Sequence, residues 1–253
     1  MTATKEIVKT FSLDIEETDS KRFDRSEWDL TEAVLPYCRR ALLWGPPGTG
    51  KTYAGIYGVP PNTNVFTVTL SEDMPVAELR GHYLRGADGQ YHWHDGIAIR
   101  AWRAAGGRLV LNEINRTSDD IRTFLYAILD DLESAEITLP SGETVRPDPR
   151  FTVVATMNGS PDELPEALQD RFTTTVHVKN VHPNALLRLP KQLQPIARRT
   201  TAPDATKRVS IRAWLDFCTL LTNGCNPYAA GAAVFGERWK ELRSDIKVAM
   251  TSA

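Results

Sequence analysis

The chain is 253 residues long with 42% hydrophobic and 25% charged residues, and its 30 Lys and Arg against 32 Asp and Glu leave a formal charge of −2. That is the composition of an ordinary soluble chain with room for one large domain, or an α/β core with a small appendage, and no overall field draws it to nucleic acid. Three cysteines, Cys38, Cys218 and Cys225, lack the CxxC spacing of a zinc or redox pair and fit a reducing compartment.

Residues 1 to about 30 are charge-rich and weakly periodic, with no apolar core of signal-peptide length, and read as a partly ordered arm leading into a short helix over 31–37. The apolar run 41–44, ALLW, reads as a strand. Directly after it, GPPGTGKT completes the pattern GxxxxGK(S/T) of a loop that holds the phosphates of a nucleoside triphosphate. Gly45, Gly48 and Gly50 let successive N–H groups turn inward, with Pro46, Pro47 and Thr49 completing the loop. Lys51 would reach the β- and γ-phosphate oxygens and Thr52 would offer its hydroxyl to Mg²⁺, at the N-terminus of a helix that Pro60-Pro61 stops.

Further strand-like runs follow at 65–70, 109–111 and 151–156, with a helix over 121–132 whose apolar residues are close to helical spacing. This alternation predicts a parallel sheet flanked by helices. Before the last run, ITL-PSG-ETV over 137–145 reads as a hairpin with a Ser-Gly turn. Beyond Val178 the pattern is helical only, including a helix over 210–221 capped by Ser210, and predicts a second, helical domain. The small-residue run 228–235 is too short to span a bilayer, so the expectation is a cytoplasmic protein without a membrane partner. The basic pairs Arg39-Arg40, Arg198-Arg199 and Lys207-Arg208 are scattered, which favours solvated faces or subunit contacts over a nucleic-acid stripe.

Hydrolysis needs more than a phosphate loop. The run LVLNE delivers Asn112 and Glu113 at a strand's C-terminal end, where ligands bind in open α/β sheets, and Glu113 is the candidate general base for an attacking water. Asn158, at the end of the run 151–156, would hold the same water through its amide, although taken alone it reads as a turn residue ahead of Gly159-Ser160-Pro161. Guanidinium groups suit the charge that spreads over γ-phosphate oxygens, but alone Arg171 reads first as a salt-bridge partner of Asp170 or Glu166, and Arg212 reads equally as a solvent-facing first-turn residue.

The order GPPGTGKT, LVLNEINR, ATMNGSPDELPEALQDRF and SIRAW resembles AAA+ ATPases of the MoxR and dynein-related group over most of residues 40–220. The resemblance implies a three-layer α/β P-loop core with a parallel sheet over 31–178 and a helical lid over 179–253. It places Lys51 and Thr52 in Walker A, Asn112 and Glu113 in Walker B, and Asn158 at sensor 1. Arg171 is then similar to the finger offered to a neighbour's γ-phosphate, and Arg212 to sensor 2. ATP and Mg²⁺ are the implied cofactors, with Thr52 and Asn112 at the metal. The implied partners are further copies in a ring of six and a protein client, in this group often a von Willebrand A domain protein or a metalloenzyme.

The stretch 81–96, GHYLRGADGQYHWHDG, resembles the insert this group carries in its second helix, on the pore or substrate side. There His92 and His94 share a strand face near Asp95, and with no further spaced ligand they read as surface or partner contact rather than a metal site. The departure from the group is Asn112, where an aspartate is usual: it keeps shape and hydrogen bonding and loses the charge. A slow ATPase, a nucleotide-gated scaffold and an ATP-trapping substitution all fit that change. A motor subunit of a restriction or phage-defence complex is a further reading, but the MNTADRS of related GTPases is replaced here by MNGSPD, which favours ATP.

Overall fold

The computed structural model describes residues 26–251. The first helix, α1 (Glu27–Val34), starts earlier than the sequence pattern suggests, because Ser26 accepts a hydrogen bond from the Asp29 N–H and caps it. The boundary expected at residue 30 therefore falls inside this helix, and residues 1–25 of the expected arm lie outside the described residues.

Five strands form one sheet: β1 (Arg40–Trp44), β2 (Val65–Thr69), β5 (Arg108–Asn112), β8 (Thr152–Met157) and β9 (Thr174–His177), in the order β2-β5-β8-β1-β9. Every pairing is parallel. Strand β9 is absent from the sequence reading: Thr174-Thr175-Val176-His177 buries only Val176 and carries no apolar run, so it shows itself only by pairing with β1.

Period-two geometry sorts the strand side chains onto two faces. Leu42, Leu109, Leu111, Val153 and Ala155 face one core, which takes in Ile99 and Trp102 of α4 (Ile97–Arg103) and Ile121, Leu125 and Ile128 of α5 (Asp119–Ile128). Ala41, Leu43, Val154 and Val176 face the other, against Trp28 and Leu35 and Ala54 of α2 (Lys51–Tyr57). Gly55 lets α2 lie close on the sheet, since a Cβ there would sit 3.1 Å from Val110 and 3.3 Å from Val154. Helix, sheet and helix make the three layers expected.

Helix α2 ends at Tyr57 with Gly58 as its cap, ahead of the prolines expected to stop it. Helix α5 begins one residue after a Ser118 cap and ends at Ile128, short of the 132 expected. Between β2 and β5 run the short α3 (Ala77–Arg80) and the antiparallel hairpin β3 (Gly81–Arg85) and β4 (Tyr91–Asp95). The expected second hairpin is present as β6 (Ile137–Thr138) and β7 (Thr144–Val145). Arg103 ties the two hairpins together, donating to Asp95 from Nε at 2.7 Å and to both Glu143 oxygens at 2.8 and 2.7 Å.

After a 3-10 turn (Pro161–Glu163), α6 (Glu166–Gln169) and β9, the chain is helical: α7 (Pro183–Leu187), α8 (Gln194–Thr201), α9 (Ile211–Thr222), α10 (Pro227–Phe235) and α11 (Trp239–Thr251). These pack a separate core around Trp214, Phe217, Phe235, Trp239 and Leu242. Ser210 caps α9 as expected, accepting from the Ala213 N–H at 3.2 Å. No helix among the described residues is long and apolar enough to cross a membrane.

Candidate functional site

The phosphate loop leaves the C-terminal end of β1, whose neighbour on one side is β8 and on the other β9. Gly45, Gly48 and Gly50 take φ of 135°, 75° and 110°, which other residues rarely adopt, and a Cβ on Gly45 would lie 2.2 Å from the Val178 carbonyl oxygen. The loop is also pinned from behind, where the His182 N–H donates to the Thr49 carbonyl at 2.8 Å.

Lys51 is buried and its ammonium has three acceptors: Gly45 O at 2.9 Å, Pro46 O at 2.7 Å and Asn158 Oδ1 at 3.0 Å. Desolvation pushes its pKa down to about 8; Glu113 pulls it up, while Arg208 and Arg212 push it further down. Asn158 in turn donates from Nδ2 to Glu113 Oε1 at 2.8 Å. A continuous chain thus runs from the lysine through the amide to the carboxylate. The other oxygen, Glu113 Oε2, is buried, accepts no hydrogen bond from the protein, and has Arg116 Nε at 3.5 Å. Glu113 holds φ of 57°, a left-handed backbone that turns it out of β5 as the strand ends.

Asn112 is buried beneath this chain, where its Oδ1 accepts from the hydroxyls of Thr52 at 2.8 Å and Thr156 at 3.0 Å. Two O–H donors use both lone pairs of that oxygen. Asn112 therefore orients Thr52, and the Thr52 oxygen is the hard donor left to face a cation such as Mg²⁺.

A cleft of about 200 Å³ is lined by Pro47, Gly48, Thr49, Gly50, Lys51, Thr52, Glu113, Asn158 and Arg212, together with Tyr53, Thr156 and Ile211. The sequence reading missed the last three. Thr156 lies in β8 two residues before Asn158, and Tyr53 directly follows the motif, so both were within reach of the pattern. Arg171 is not in this cleft. Its Nε donates to the Tyr126 carbonyl at 3.2 Å, its Nη1 donates to the Ala167 carbonyl at 3.0 Å, and the guanidinium stacks over the Tyr126 ring at 5.1 Å. Neither Asp170 nor Glu166 is its partner in these bonds.

Asn115 was also unread. Its Nδ2 donates to the Asn158 carbonyl at 3.2 Å and to Glu163 Oε2 at 3.0 Å, while Glu163 Oε1 accepts from the Ser160 N–H at 3.0 Å. This bracket fixes the turn after β8 and with it the Asn158 side chain.

A glycine loop between a parallel strand and a helix, with a lysine and a hydroxyl at the helix start and polar strand ends beside it, defines a P-loop nucleotide-binding protein. A family model for the AAA domain (dynein-related subfamily) matches residues 40–172, and the chain belongs to that family. Among curated proteins it is 31% identical over 129 residues to the denitrification regulatory protein NirQ of Pseudomonas aeruginosa, covering 51% of this chain and 48% of NirQ. It is 32% identical over 146 residues to midasin of Dictyostelium discoideum, covering 53% of this chain and 2% of midasin. The chain thus spans about half of NirQ and a small part of midasin. Among solved structures, NtrX from Brucella abortus in complex with ADP matches with a TM-score of 0.49 and 17% identity, over 80% of this chain and 47% of that one.

Proposed function

We propose that the chain is an ATP-driven remodelling subunit whose cleft binds ATP with Mg²⁺ and hydrolyses it. The observation that carries this is the single cleft in which Lys51, Thr52, Glu113, Asn158 and Arg212 meet. The loop N–H groups and Lys51 would hold the phosphates, with Thr52, oriented by Asn112, at the metal. When bound, the metal would neutralise phosphate charge. Glu113 Oε2, which accepts no hydrogen bond from the protein and has Arg116 as its ion-pair partner, would take a proton from the attacking water, and Asn158 keeps Glu113 facing the lysine. Arg212, at the first turn of α9, would bring the helical segment onto the nucleotide, so that binding moves that segment against the core.

Arg171 fits a role toward a second copy, since it lies outside its own cleft and its hydrogen bonds go to the Tyr126 and Ala167 carbonyls rather than to a carboxylate. In this reading the copies form a ring, six by family resemblance, in the cytoplasm, and the β3–β4 hairpin passes the motion to a protein client. A von Willebrand A domain protein is the client class the resemblance favours.

A second reading, a scaffold that ATP locks without turnover, is favoured by Asn112 alone, which removes a carboxylate from beside Thr52. Steady-state ATPase rates of this chain, Asn112→Asp and Glu113→Gln separate the two. The enzyme reading expects this chain to exceed Glu113→Gln clearly. Equal rates for those two, with an active Asn112→Asp, establish the scaffold. Faster turnover of GTP than ATP points instead to the restriction-type motor.

A further inference from the structure

We propose that the outward face of the β3–β4 hairpin binds one divalent transition-metal ion, of the Zn²⁺ or Ni²⁺ class, through the imidazoles of His82, His94 and His92. Strand register carries this. His92 and His94 are two residues apart on β4 and so share a face, and His82 on β3 pairs directly with His94. Three of the chain's five histidines are thereby gathered on one face of a two-stranded ribbon. The sequence offered only the two on β4, and the third comes from pairing that only the fold reveals.

Directly paired residues hold their Cβ atoms about 5 Å apart, and metal–imidazole bonds of about 2.0 Å let rings on such Cβ atoms converge on one ion above the sheet. Imidazole donors suit zinc, nickel and copper and not the Mg²⁺ proposed for the nucleotide cleft. The opposite face of the hairpin is already used: Tyr83 and Trp93 pack edge to face at 5.3 Å, and the Tyr83 hydroxyl donates to the Pro140 carbonyl at 3.4 Å. The histidine face is left to solvent, with His82, His92 and His94 all exposed.

His92 also has the backing that metal-bound imidazoles use. Its Nε2 lies 2.7 Å from Asp88 Oδ2, in the turn of the hairpin, which leaves Nδ1 as the donor. As placed, the three rings are not drawn together into a ligand group. His82 and His94, being exposed, would turn about their side-chain bonds toward the His92 ring that Asp88 holds, and binding would close the set and clip the two strands together.

The test is calorimetric titration of the full chain with Zn²⁺ and with Ni²⁺, in excess Mg²⁺ and without nucleotide, with Trp93 emission followed for quenching by Ni²⁺. Expected is one ion per chain and quenching, with His82→Gln and His94→Gln each weakening binding by roughly tenfold or more and the double variant abolishing it. Asp88→Asn should weaken binding by about tenfold through His92. Unfolding midpoints in EDTA should be the same for all variants, since the positions are exposed, whereas added metal should raise only that of the parent. A double variant that keeps the parent's stoichiometry and affinity places the ion elsewhere and overturns the proposal, as does a parent that takes up no ion at micromolar concentrations.

Discussion

Burial holds the Lys51 pKa at about 8, below the 10.5 of an ordinary lysine, because the ammonium is surrounded by backbone carbonyls and an amide, with Glu113 as the carboxylate that opposes the shift. Between those two values the unfolded chain carries more proton than the folded one, so this group makes the fold more stable as pH rises through that window. Below it, the cost of burying the charge is carried in full. Triphosphate beside Nζ would reverse the balance by restoring the lysine's affinity for its proton. ATP binding at pH 8.5 should therefore take up protons, seen as a binding enthalpy that changes with the ionisation heat of the buffer, and affinity should decline from pH 7.5 to 9.5. Lys51→Ala should weaken binding by about 2–3 kcal/mol, roughly a hundredfold, and abolish the proton uptake. Asn112→Asp tests the other end of the site. It buries a carboxylate whose donors are the Thr52 and Thr156 hydroxyls, so the metal-free chain should melt at a lower temperature than the parent, and Mg²⁺ with ATP should close that gap.

At the scale of elements, Arg108 shows how the layers are joined. It opens β5 fully buried, with Nη1 donating to the Gly58 carbonyl at 2.6 Å, Nη2 to the Leu35 carbonyl at 2.7 Å and Nε to the Thr152 hydroxyl at 3.0 Å. One side chain thus satisfies the ends of α1 and α2 and the start of β8. Arg108→Met keeps much of the volume and strands two buried carbonyls, which should cost about 3 kcal/mol in urea unfolding. A loss under 1 kcal/mol would mean that water replaces the guanidinium. Nothing in the sequence marks Arg108, because an arginine before an apolar run reads as a solvated strand end. Legibility elsewhere follows the same physics. Strands β1, β5 and β8 are covered on both faces and so are written as continuous apolar runs, whereas the edge strand β9 buries one residue and is defined by its neighbour. The glycine loop, Glu113 and Asn158 could be found because local spacing fixes them. Asn115 and the Tyr126 partner of Arg171 depend on contacts between segments some 40 residues or more apart, and spacing says nothing about those.

At the scale of the whole molecule, one copy presents a cleft holding Lys51, Thr52, Glu113, Asn158 and Arg212, while Arg171 lies outside it with its guanidinium bound to the Tyr126 and Ala167 carbonyls. If the arginine serves a neighbour's site, the catalytic unit is an interface, and damage on its two sides must complement. Arg171→Ala should leave ATP binding by the isolated chain within about twofold of the parent and lower turnover by roughly 10³-fold or more, the usual worth of an arginine supplied in trans. Glu113→Gln should also bind and fail to turn over. Mixed in equal amounts and allowed to exchange, the two dead variants place an intact Glu113 against an intact Arg171 at about a quarter of the head-to-tail interfaces of a ring. Activity should therefore return to about a quarter of the parent's per site and rise with total protein concentration as rings assemble. An arginine acting within its own chain gives a mixture as inactive as its parts. An arginine needed only to hold Tyr126 and Ala167 gives Arg171→Ala chains that melt early and rescue nothing, so the melting temperature and the mixing experiment together decide which contact Arg171 was selected to make.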